Sequence, residues 1–266
     1  MIEGIYLRLA GVLQSWAGQA LAGNIVHTER FPTHSGLKGL IAGALGAPRG
    51  QWPAWLEDVE FTVRQDRRPR VVDDFHTINP RTESEEFRSR LLLAHGDRAT
   101  GKNLVFTPDA QGTTAVVNRT YLADGEFLVR VVCDNHLDEL ETALGSPGFS
   151  TYLGRKAFPP AFPFYLGRGS IDCFEQIPTV NWQEKQHGYF RRSRAEENTN
   201  TSETPELSFE SAVPQRTTPL IFVEYSRYTN RNGKRKQCAV PVAPDEDSRL
   251  EAIFELLAIR RKSDSN

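Results

Sequence analysis

The stretch RFPTHSGLKGLIAGALGAPRG, residues 30–50, indicates where the first helix of this 266-residue chain forms. Its larger apolar residues recur at the i, i+3, i+4, i+7 and i+8 spacing of a helix with one apolar face: Leu37, Leu40, Ile41, Ala44 and Leu45. The spacing predicts a helix over residues 35–47, with Thr33 or Ser35 as the N-cap and Pro48 just past its end.

Two features of this helix are unusual for a soluble protein. Gly36, Gly39 and Gly43 lie inside it, although an interior glycine costs about 1 kcal/mol of helix stability relative to alanine. No acidic residue occurs between Glu29 and Glu57. Close packing of a thin helix face would explain the glycines but not the absence of acidic residues. A phosphate at the helix N-terminus, which carries positive charge and unpaired N–H groups, explains both features.

The phosphate hypothesis assigns roles to five residues around the start of the helix. Thr33, His34 and Ser35 would add side-chain donors to the backbone amides, and Arg30 and Lys38 would supply positive charge. No GxxxxGK[ST] motif occurs, so a nucleoside triphosphate is not expected.

A second acid-free stretch runs from residue 142 to residue 171 and mixes basic with aromatic side chains. Its candidate RNA-binding residues are Tyr152, Arg155, Lys156 and Arg168. Aromatic rings among basic groups suit base stacking and contact with the backbone of single-stranded nucleic acid. A core segment broken by prolines is the alternative explanation.

The overall composition is that of an ordinary globular chain. The formal net charge is −2, so any nucleic-acid site must come from local segregation of charge. Three widely separated cysteines show no zinc spacing and favour a reducing compartment. No apolar run approaches the roughly 18 residues needed to span a membrane. We therefore expect a cytoplasmic protein with no membrane contact, no leader peptide and no cofactor.

The sequence offers little evidence for catalysis. Asp73, Asp74 and His76 lie close together, but a strand would place only two of them on one face, so no metal site is predicted. His34 beside a tyrosine or lysine could act as the base of a metal-independent ribonuclease by deprotonating a 2′-OH. The GxSxG, HExxH and Cys-His signatures are absent, and no catalytic residue is predicted.

The order of the periodic segments predicts an α+β fold. Strands are expected over residues 4–11, 59–66, 68–78 and 126–133, and a second helix over 135–146 with Asn135 or Asp134 as its cap. With the first helix this order matches a split βαβ sheet of the ferredoxin or RRM kind. Residues 79–119 lack an apolar period and are predicted to form an inserted arm.

The rest of the chain differs in character. Residues 193–215 are polar. The segments LIFVEYSRY and KQCAVPV, joined by the basic turn TNRNGKR, predict a hairpin. A final helix is expected over residues 248–262.

Five segments, in this order, resemble the CasD family of CRISPR-associated proteins: YLRLAGVLQSWA, RFPTHSGLKGLIAGALG, VVDDFHTI, RTYLADGEFLV and YLGRKAFPPAFPFYLG. The combination of LQ-x-W, FPT-x-SG-x-x-GL and YLGR is specific, whereas each motif alone is weak. The resemblance covers residues 4–170 well and the remainder loosely.

The resemblance implies an RRM-like domain over residues 1–170, with a thumb inserted at 79–119 and Arg119 at the return of that thumb. A smaller β-rich part over 171–266 would end in a helix. Such proteins are non-catalytic subunits of the type I-E Cascade complex. They hold the 5′ handle of the crRNA, contact the backbone subunit CasC and the large subunit CasA, and meet target DNA only through the complex.

Two alternatives stay open at this point. In related type I-C complexes the same family processes pre-crRNA as a metal-independent endoribonuclease. An unrelated protein-interaction domain would have no affinity for RNA.

Overall fold

The computed structural model describes residues 2–18, 25–78, 115–180, 182, 216–229 and 231–258. The described helices and strands, in chain order, are β1 (Glu3–Ala10), β2 (Leu13–Gln14), β3 (Ile25–Val26), α1 (His34–Ala44), β4 (Glu60–Arg67), β5 (Arg70–Ile78), β6 (Ala115–Ala123), β7 (Glu126–Val132), α2 (Leu137–Gly145), β8 (Tyr165–Ser170), β9 (Thr179–Val180), β10 (Thr217–Tyr225), β11 (Lys234–Ala243) and α3 (Glu246–Ala258). Two short 3₁₀ turns cover Ala54–Glu57 and Ile171–Cys173.

Seven of these strands form one sheet in the order β8-β1-β7-β4-β10-β11-β9. Every neighbouring pair is antiparallel except β11 and β9, which are parallel. The register places Leu7 opposite Val129 on one side and Tyr165 on the other. The chain is therefore a mixed helix-and-sheet protein, as its sequence predicts.

The main sheet is covered on both faces. Ile5, Leu7 and Leu9 of β1 pack with the apolar residues of α1 and α2, while Tyr6 packs on the opposite face with residues of α3. β1 is buried along nearly its whole length, since its alternating side chains enter two different cores. Tyr225, the last residue of β10, belongs to the same core as the apolar residues of α1, so its side chain lies on the face of the sheet that α1 covers.

A second, smaller sheet has the order β2-β6-β3, with β5 paired to the other side of β6. β5 and β6 run antiparallel, so His76 lies opposite Val117 and Asp74 opposite Arg119. Residues 115–119, the last part of the predicted arm, thus belong to a strand. Residues 79–114 lie outside the described residues.

The ends of the helices differ from the predicted ones for local reasons. α1 ends at Ala44, because Gly46 has a left-handed φ of 71° and its amide bonds to the carbonyl of Gly43. α2 begins after His136, which makes no side-chain capping bond, so the predicted caps Asn135 and Asp134 are wrong. Asn135 instead takes a left-handed φ of 64° in the preceding turn.

The C-terminal residues continue the main sheet. The β10–β11 hairpin is confirmed by its pairing, and β10 also pairs with β4. α3 begins at Glu246, two residues before the predicted start, because Asp245 Oδ1 accepts a hydrogen bond of 2.8 Å from the amide of Ser248. Among the described residues, none of the helices has the length and apolar character required to cross a membrane.

A buried group of charges fixes α3 to the sheet. Arg249 donates 2.8 Å to Asp66 and also contacts Glu126, while Arg64 binds both oxygens of Asp66 at 2.7 Å. The side chains of Arg64, Asp66 and Arg249 have no solvent exposure. Removing one partner of such a group leaves an uncompensated buried charge, which is strongly destabilising. The cluster therefore has a structural role, because it holds α3 against the sheet.

Candidate nucleic-acid interface

The LQ-x-W motif forms the buried support beneath the start of α1. Gln14 is fully buried and its Nε2 donates to the carbonyls of Leu9 and Gly125 at 3.1 and 2.9 Å. Its Oε1 accepts 3.0 Å from the indole nitrogen of Trp16, which is 1% exposed. All three polar groups of the pair are thereby satisfied, and the indole ring is held in one orientation.

Two glycines of the other motifs close around this pair. A Cβ at Gly36 would lie 2.9 Å from both the Trp16 ring and the Thr33 hydroxyl. A Cβ at Gly154, where φ is 84°, would lie 1.6 Å from the carbonyl oxygen of Ser15. We call these residues, Gln14, Trp16, Gly36 and Gly154 together with Ser15, the motif joint. The motifs that carried the family resemblance therefore meet in space and have a packing role.

The N-terminus of α1 emerges directly above the motif joint. Thr33 is the N-cap, as predicted: its Oγ1 accepts 3.2 Å from the amide of Gly36, and its carbonyl accepts 2.9 Å from the amide of Leu37. The first amides of a helix have no intrahelical acceptor. The amides of His34 and Ser35 are thus the ones that remain at the open end, and no acidic residue lies in the first turn.

A cationic cleft borders this helix end. It is lined by Ala17, Gly18, Glu29, Arg30, Phe31, Thr33, Tyr225, Arg231, Asn232 and Arg235. We call it the α1 cleft. Three arginines face one glutamate there, and the Arg235 guanidinium lies 5.4 Å above the Phe31 ring. The cavity volume is about 40 Å³, far below the roughly 300 Å³ at which small-molecule pockets begin. The α1 cleft can therefore contact an extended anion at its surface but cannot enclose a nucleotide.

His34 lies beside the α1 cleft with its ring turned inward. The ring stacks on Tyr225 at 5.8 Å with an interplanar angle of 6°, and meets the edge of Phe61 at 5.7 Å. Its Nε2 is buried and has no hydrogen-bond partner among the described residues. Burial and the nearby Lys38 lower the pKa of His34, so the ring is neutral near pH 7.

Lys38 is engaged within the chain. Its ammonium lies 2.7 Å from Glu57, and this hydrogen bond lowers the pKa of the carboxyl. The 3₁₀ turn after α1 folds back and returns this acid to the helix. The window that lacks acids in sequence is therefore not free of carboxylates in space.

The expected close approach to the thin face of α1 is wrong for two of the three glycines within the described chain. A Cβ at Gly39 would meet only Trp52, at 3.7 Å, and one at Gly43 would meet nothing within 4 Å. Only Gly36 is required by its neighbours. The open side of α1 is thus the surface around Gly39 and Gly43.

One of the predicted residues, Arg155, contacts a polar cluster on the β5–β6 ribbon. Arg155 donates 2.5 Å to the hydroxyl of Tyr121 and lies 5.4 Å above its ring. His76 Nε2 lies 3.3 Å from the same hydroxyl and contacts Asp74. Burial and Asp74 raise the pKa of Tyr121. Among the residues that the structure describes, no three His, Cys, Asp or Glu side chains are close enough to hold a metal ion.

Other predicted residues are dispersed. Tyr152 and Lys156 are exposed in the loop before β8, and Arg119 lies on β6. Arg168 on β8 is surrounded by three carboxylates, those of Glu3, Asp138 and Glu141, at 2.6, 2.5 and 3.6 Å. Burial alone would lower the pKa of Arg168, but the hydrogen bonds to Asp138 and Glu3 raise it.

The structure brings Arg30 and Thr33 together in the α1 cleft, with Ser35 exposed beside them. Sequence reasoning missed Arg231 and Arg235, which complete the cleft from the other side. Both lie in the segment TNRNGKR, whose charge was the available signal; Arg231 is in the turn and Arg235 near the start of β11. No sequence spacing links that turn to α1, because only the pairing of β10 with β4 carries it there.

Comparisons with known proteins agree with the motif resemblance. Residues 4–224 match the family model described as CRISPR-associated protein (Cas_Cas5). The chain is 34% identical over 178 residues to the CRISPR system Cascade subunit CasD of Escherichia coli (strain K12), covering 61% of this chain and 70% of that protein.

Two solved structures are similar to this chain, and the first of them supports the family match. A chain of a CRISPR RNA-guided surveillance complex is 25% identical, with a TM-score of 0.58 and coverage of 96% of this chain and 99% of that one. A second solved chain, described as a Cas protein, is 20% identical with a TM-score of 0.49, over 91% of this chain and 98% of that one. The family match spans most of the residues that carry the fold. The chain therefore belongs to the Cas5 family of CRISPR-associated proteins.

Proposed function

We propose that this chain is a non-catalytic, RNA-binding subunit of a Cascade-type CRISPR complex that holds the 5′ handle of the crRNA. The observation that carries the proposal is the α1 cleft, where Arg30, Arg231 and Arg235 surround the open N-terminus of α1. The family membership and the similarity to a subunit named for Cascade support the assignment to such a complex.

The chemistry of the α1 cleft suits a phosphodiester backbone. Guanidinium groups present planar pairs of donors that match phosphate oxygens, and the helix N-terminus adds amides and a partial positive charge. Because the cavity is shallow, it selects the charged backbone and leaves the bases outside. Exposed Tyr152 and Lys156 and the Arg155–Tyr121 contact are proposed as further points along the strand.

Binding without cleavage is favoured by the position of His34. A general base must come within about 3 Å of the 2′-OH that it deprotonates. His34 is neutral, as a base requires, but its Nε2 is enclosed between Phe61 and Tyr225. Geometry therefore argues against the endoribonuclease alternative at this residue.

We further propose that the core is an RRM-like, ferredoxin-like domain. Four strands of the main sheet, β8-β1-β7-β4, are all antiparallel, and numbered among themselves they have the order 4-1-3-2. α1 follows the first of these strands and α2 the third, which is the connectivity of a split βαβ sheet. The β5–β6 ribbon then lies where a thumb would start, at the ends of residues 79–114.

The proposed partners follow from the family. We propose that residues 79–114, with Arg119 at their return, contact the CasC backbone subunit, that CasA docks nearby, and that target DNA is met only through the complex. A cytoplasmic location goes with these partners.

The experiment that tests the proposal measures binding of the full chain to crRNA 5′-handle RNA over a range of salt concentrations. The slope of log K against log salt is negative, and each phosphate contact on a single strand contributes about −0.7 to it. Arg231→Ala/Arg235→Ala removes two contacts and should therefore make the slope less negative by about 1.4. Arg49→Ala, which removes an exposed charge after α1, is the control and should leave the slope unchanged. Equal slopes for the cleft variant and the parent would refute the proposed site.

The same preparation separates binding from catalysis. Repeat RNA incubated with the parent protein in the presence of a metal chelator should stay intact. Cleavage that disappears in His34→Ala, with binding retained, would support the endoribonuclease alternative.

A further inference from the structure

The α1 cleft contains one acidic side chain among its arginines. Glu29 lines the cleft together with Arg30, Arg231 and Arg235. Among the residues that the structure describes, no ion pair joins Glu29 to any of these three arginines. A phosphodiester group carries negative charge and offers no hydrogen-bond donor, so an exposed carboxylate beside it opposes binding. Phosphate binding therefore accounts for the arginines of the cleft and gives Glu29 no role.

Backbone hydrogen bonds fix Glu29 to the LQ-x-W segment. Its amide donates 2.7 Å to the carbonyl of Trp16, whose own amide donates 2.8 Å to the hydroxyl of Thr28. The amide of Gly18 donates 3.4 Å to the carbonyl of His27, which continues the same antiparallel contact. Since Trp16 belongs to the motif joint, the backbone of Glu29 is anchored to a buried part of the fold.

The side chain of Glu29 lies against Gly18. A Cβ at Gly18 would come 2.6 Å from Oε1 of Glu29, 3.3 Å from its Cδ and 3.4 Å from its Cγ. A larger residue at this position would therefore displace the carboxylate from the place it now takes in the cleft.

The charge of Glu29 also acts on Tyr225, which lines the same cleft. Burial raises the pKa of Tyr225 to about 12, while the nearby Arg235 lowers it and Glu29 raises it. The phenol therefore stays neutral near pH 7. Among the described residues that line the cleft, Glu29 is thus the one that carries negative charge.

We infer that Glu29 selects RNA over DNA in the α1 cleft by accepting a hydrogen bond from a ribose 2′-OH. An ionised carboxylate only accepts hydrogen bonds, so it favours a bound anion only where that anion offers a donor. The cleft is too shallow to enclose a base, and the 2′-OH is the hydrogen-bond donor that a sugar–phosphate backbone offers. The inference rests on the proposed function and deepens it by naming the sugar that the cleft recognises.

The same carboxylate acts against DNA. A deoxyribose has no hydroxyl at the 2′ position, so a DNA strand in the cleft would meet the charge of Glu29 without a compensating hydrogen bond. Attraction to the correct ligand and a penalty against the wrong one then come from a single side chain. A hydrogen bond to a charged group is stronger than one between neutral groups, and we expect about a tenfold contribution to the preference for RNA.

The test uses the full chain with two probes, crRNA 5′-handle RNA and the same sequence made of 2′-deoxynucleotides. The buffer contains a metal chelator, so that no divalent cation joins the carboxylate to a phosphate. The measured quantity is the Kd for the deoxy probe divided by the Kd for the RNA, because a change of charge alone affects both values and leaves their ratio unchanged. In Glu29→Ala this ratio should fall about tenfold relative to the parent.

Two further variants separate the position of the carboxylate from its charge. Gly18→Ala keeps the charge but displaces the flexible end of Glu29, so the ratio should fall here as well. Glu251→Ala removes an exposed acid from α3, which packs on the opposite face of the main sheet, and should leave the ratio unchanged. All proteins are compared at a temperature at which thermal melting shows each of them to be folded.

Each result has a defined meaning. A lower ratio in Glu29→Ala and Gly18→Ala supports the inference. A lower ratio in Glu29→Ala alone also supports it, and means that the displaced carboxylate still reaches the ribose. An unchanged ratio in Glu29→Ala, an equal fall in Glu251→Ala, or a parent that does not prefer RNA overturns it. Failure here leaves the proposed function standing, since that depends on the salt slope of Arg231→Ala/Arg235→Ala with RNA and not on this ratio.

Discussion

The motif joint and the α1 cleft differ in almost every physical respect. The joint is uncharged and built from close contacts around the buried Gln14 and Trp16, such as the Gly36–Trp16 approach and the three hydrogen bonds of Gln14. The α1 cleft is exposed and depends on three arginines, of which Arg30 and Arg231 lie in loops and Arg235 near the start of β11. The glycines and the Gln14–Trp16 pair of the family motifs thus report packing, whereas Arg231 and Arg235 of the α1 cleft lie outside those motifs.

A physical reason underlies this difference. Close packing tolerates one residue type at one spacing, so it leaves a pattern in the sequence. An arginine can reach a phosphate from several neighbouring positions, because its side chain is long and the interaction decays slowly with distance. Substitutions in the joint should therefore affect folding, and substitutions of the arginines in the α1 cleft should affect binding.

The largest expected effect belongs to Gly154→Ala. Its Cβ would overlap the carbonyl of Ser15, a backbone atom that cannot move alone, and φ at this position is left-handed. Overpacking and the left-handed conformation together should destabilise the fold by at least about 3 kcal/mol. Denaturant unfolding of the full chain measures this, and Lys156→Ala, two residues away and exposed, should change stability by less than about 0.5 kcal/mol. Similar unfolding midpoints for the two variants would contradict the close packing of Gly154 against Ser15 in the motif joint.

Gly36→Ala should have the next largest effect. The added methyl would press on the Trp16 ring, which Gln14 holds in place, and on the capping hydroxyl of Thr33. We expect a loss of about 1–3 kcal/mol in the free energy of unfolding, in spite of the better helix propensity of alanine. Thermal unfolding monitored by circular dichroism measures this loss of stability. An unchanged melting temperature would show that the ring can move aside.

The pH dependence of stability tests the environment of His34. Its pKa is lowered in the folded chain by burial and Lys38, so the unfolded chain binds the proton first. Stability should therefore decline as the pH falls below the unfolded value of about 6.5, by no more than about 1.4 kcal/mol per pH unit. His34→Phe keeps a ring against Tyr225 and should remove this part of the decline. A parallel pH profile in the two proteins would show that the ring titrates freely.

Local sequence patterns predicted most elements of this fold. β1, α1, β4, β5, β7 and the β10–β11 hairpin form where periodicity and turn chemistry place them. The cap of α2 was missed because Asn135 is used for a left-handed turn, an alternative that suits asparagine as well as capping does.

The site was less predictable, because its decisive contacts join residues far apart in sequence. Glu57 returns to Lys38 across a 3₁₀ turn, and Arg168 on β8 meets Glu3 on the neighbouring strand β1, 165 residues away in sequence. Both contacts depend on the tertiary fold, which no local charge pattern reveals. The acid-free window correctly indicated that no acidic residue lies in the first turn of α1. It did not indicate that Glu57, which follows in sequence, binds Lys38 of that helix.

Gly43→Ala should have the smallest effect and the opposite sign. Nothing lies within 4 Å of the position that its Cβ would take, and the residue is the next-to-last of α1. Replacing a glycine inside a helix by alanine stabilises by about 0.5–1 kcal/mol, and so close to the end of α1 the gain in the isolated chain should be at or below the lower value. Comparing the melting temperatures of Gly43→Ala and Gly36→Ala contrasts two glycines of one helix. Gly36 belongs to the motif joint, and Gly43 does not. Measuring RNA binding on the same samples sharpens the result. A variant that gains stability but loses affinity for handle RNA would show that the open face of α1 is kept clear for a ligand. A variant that loses stability would mean that this face is already packed, and the separation between the joint and the ligand-binding surface would then be wrong at α1.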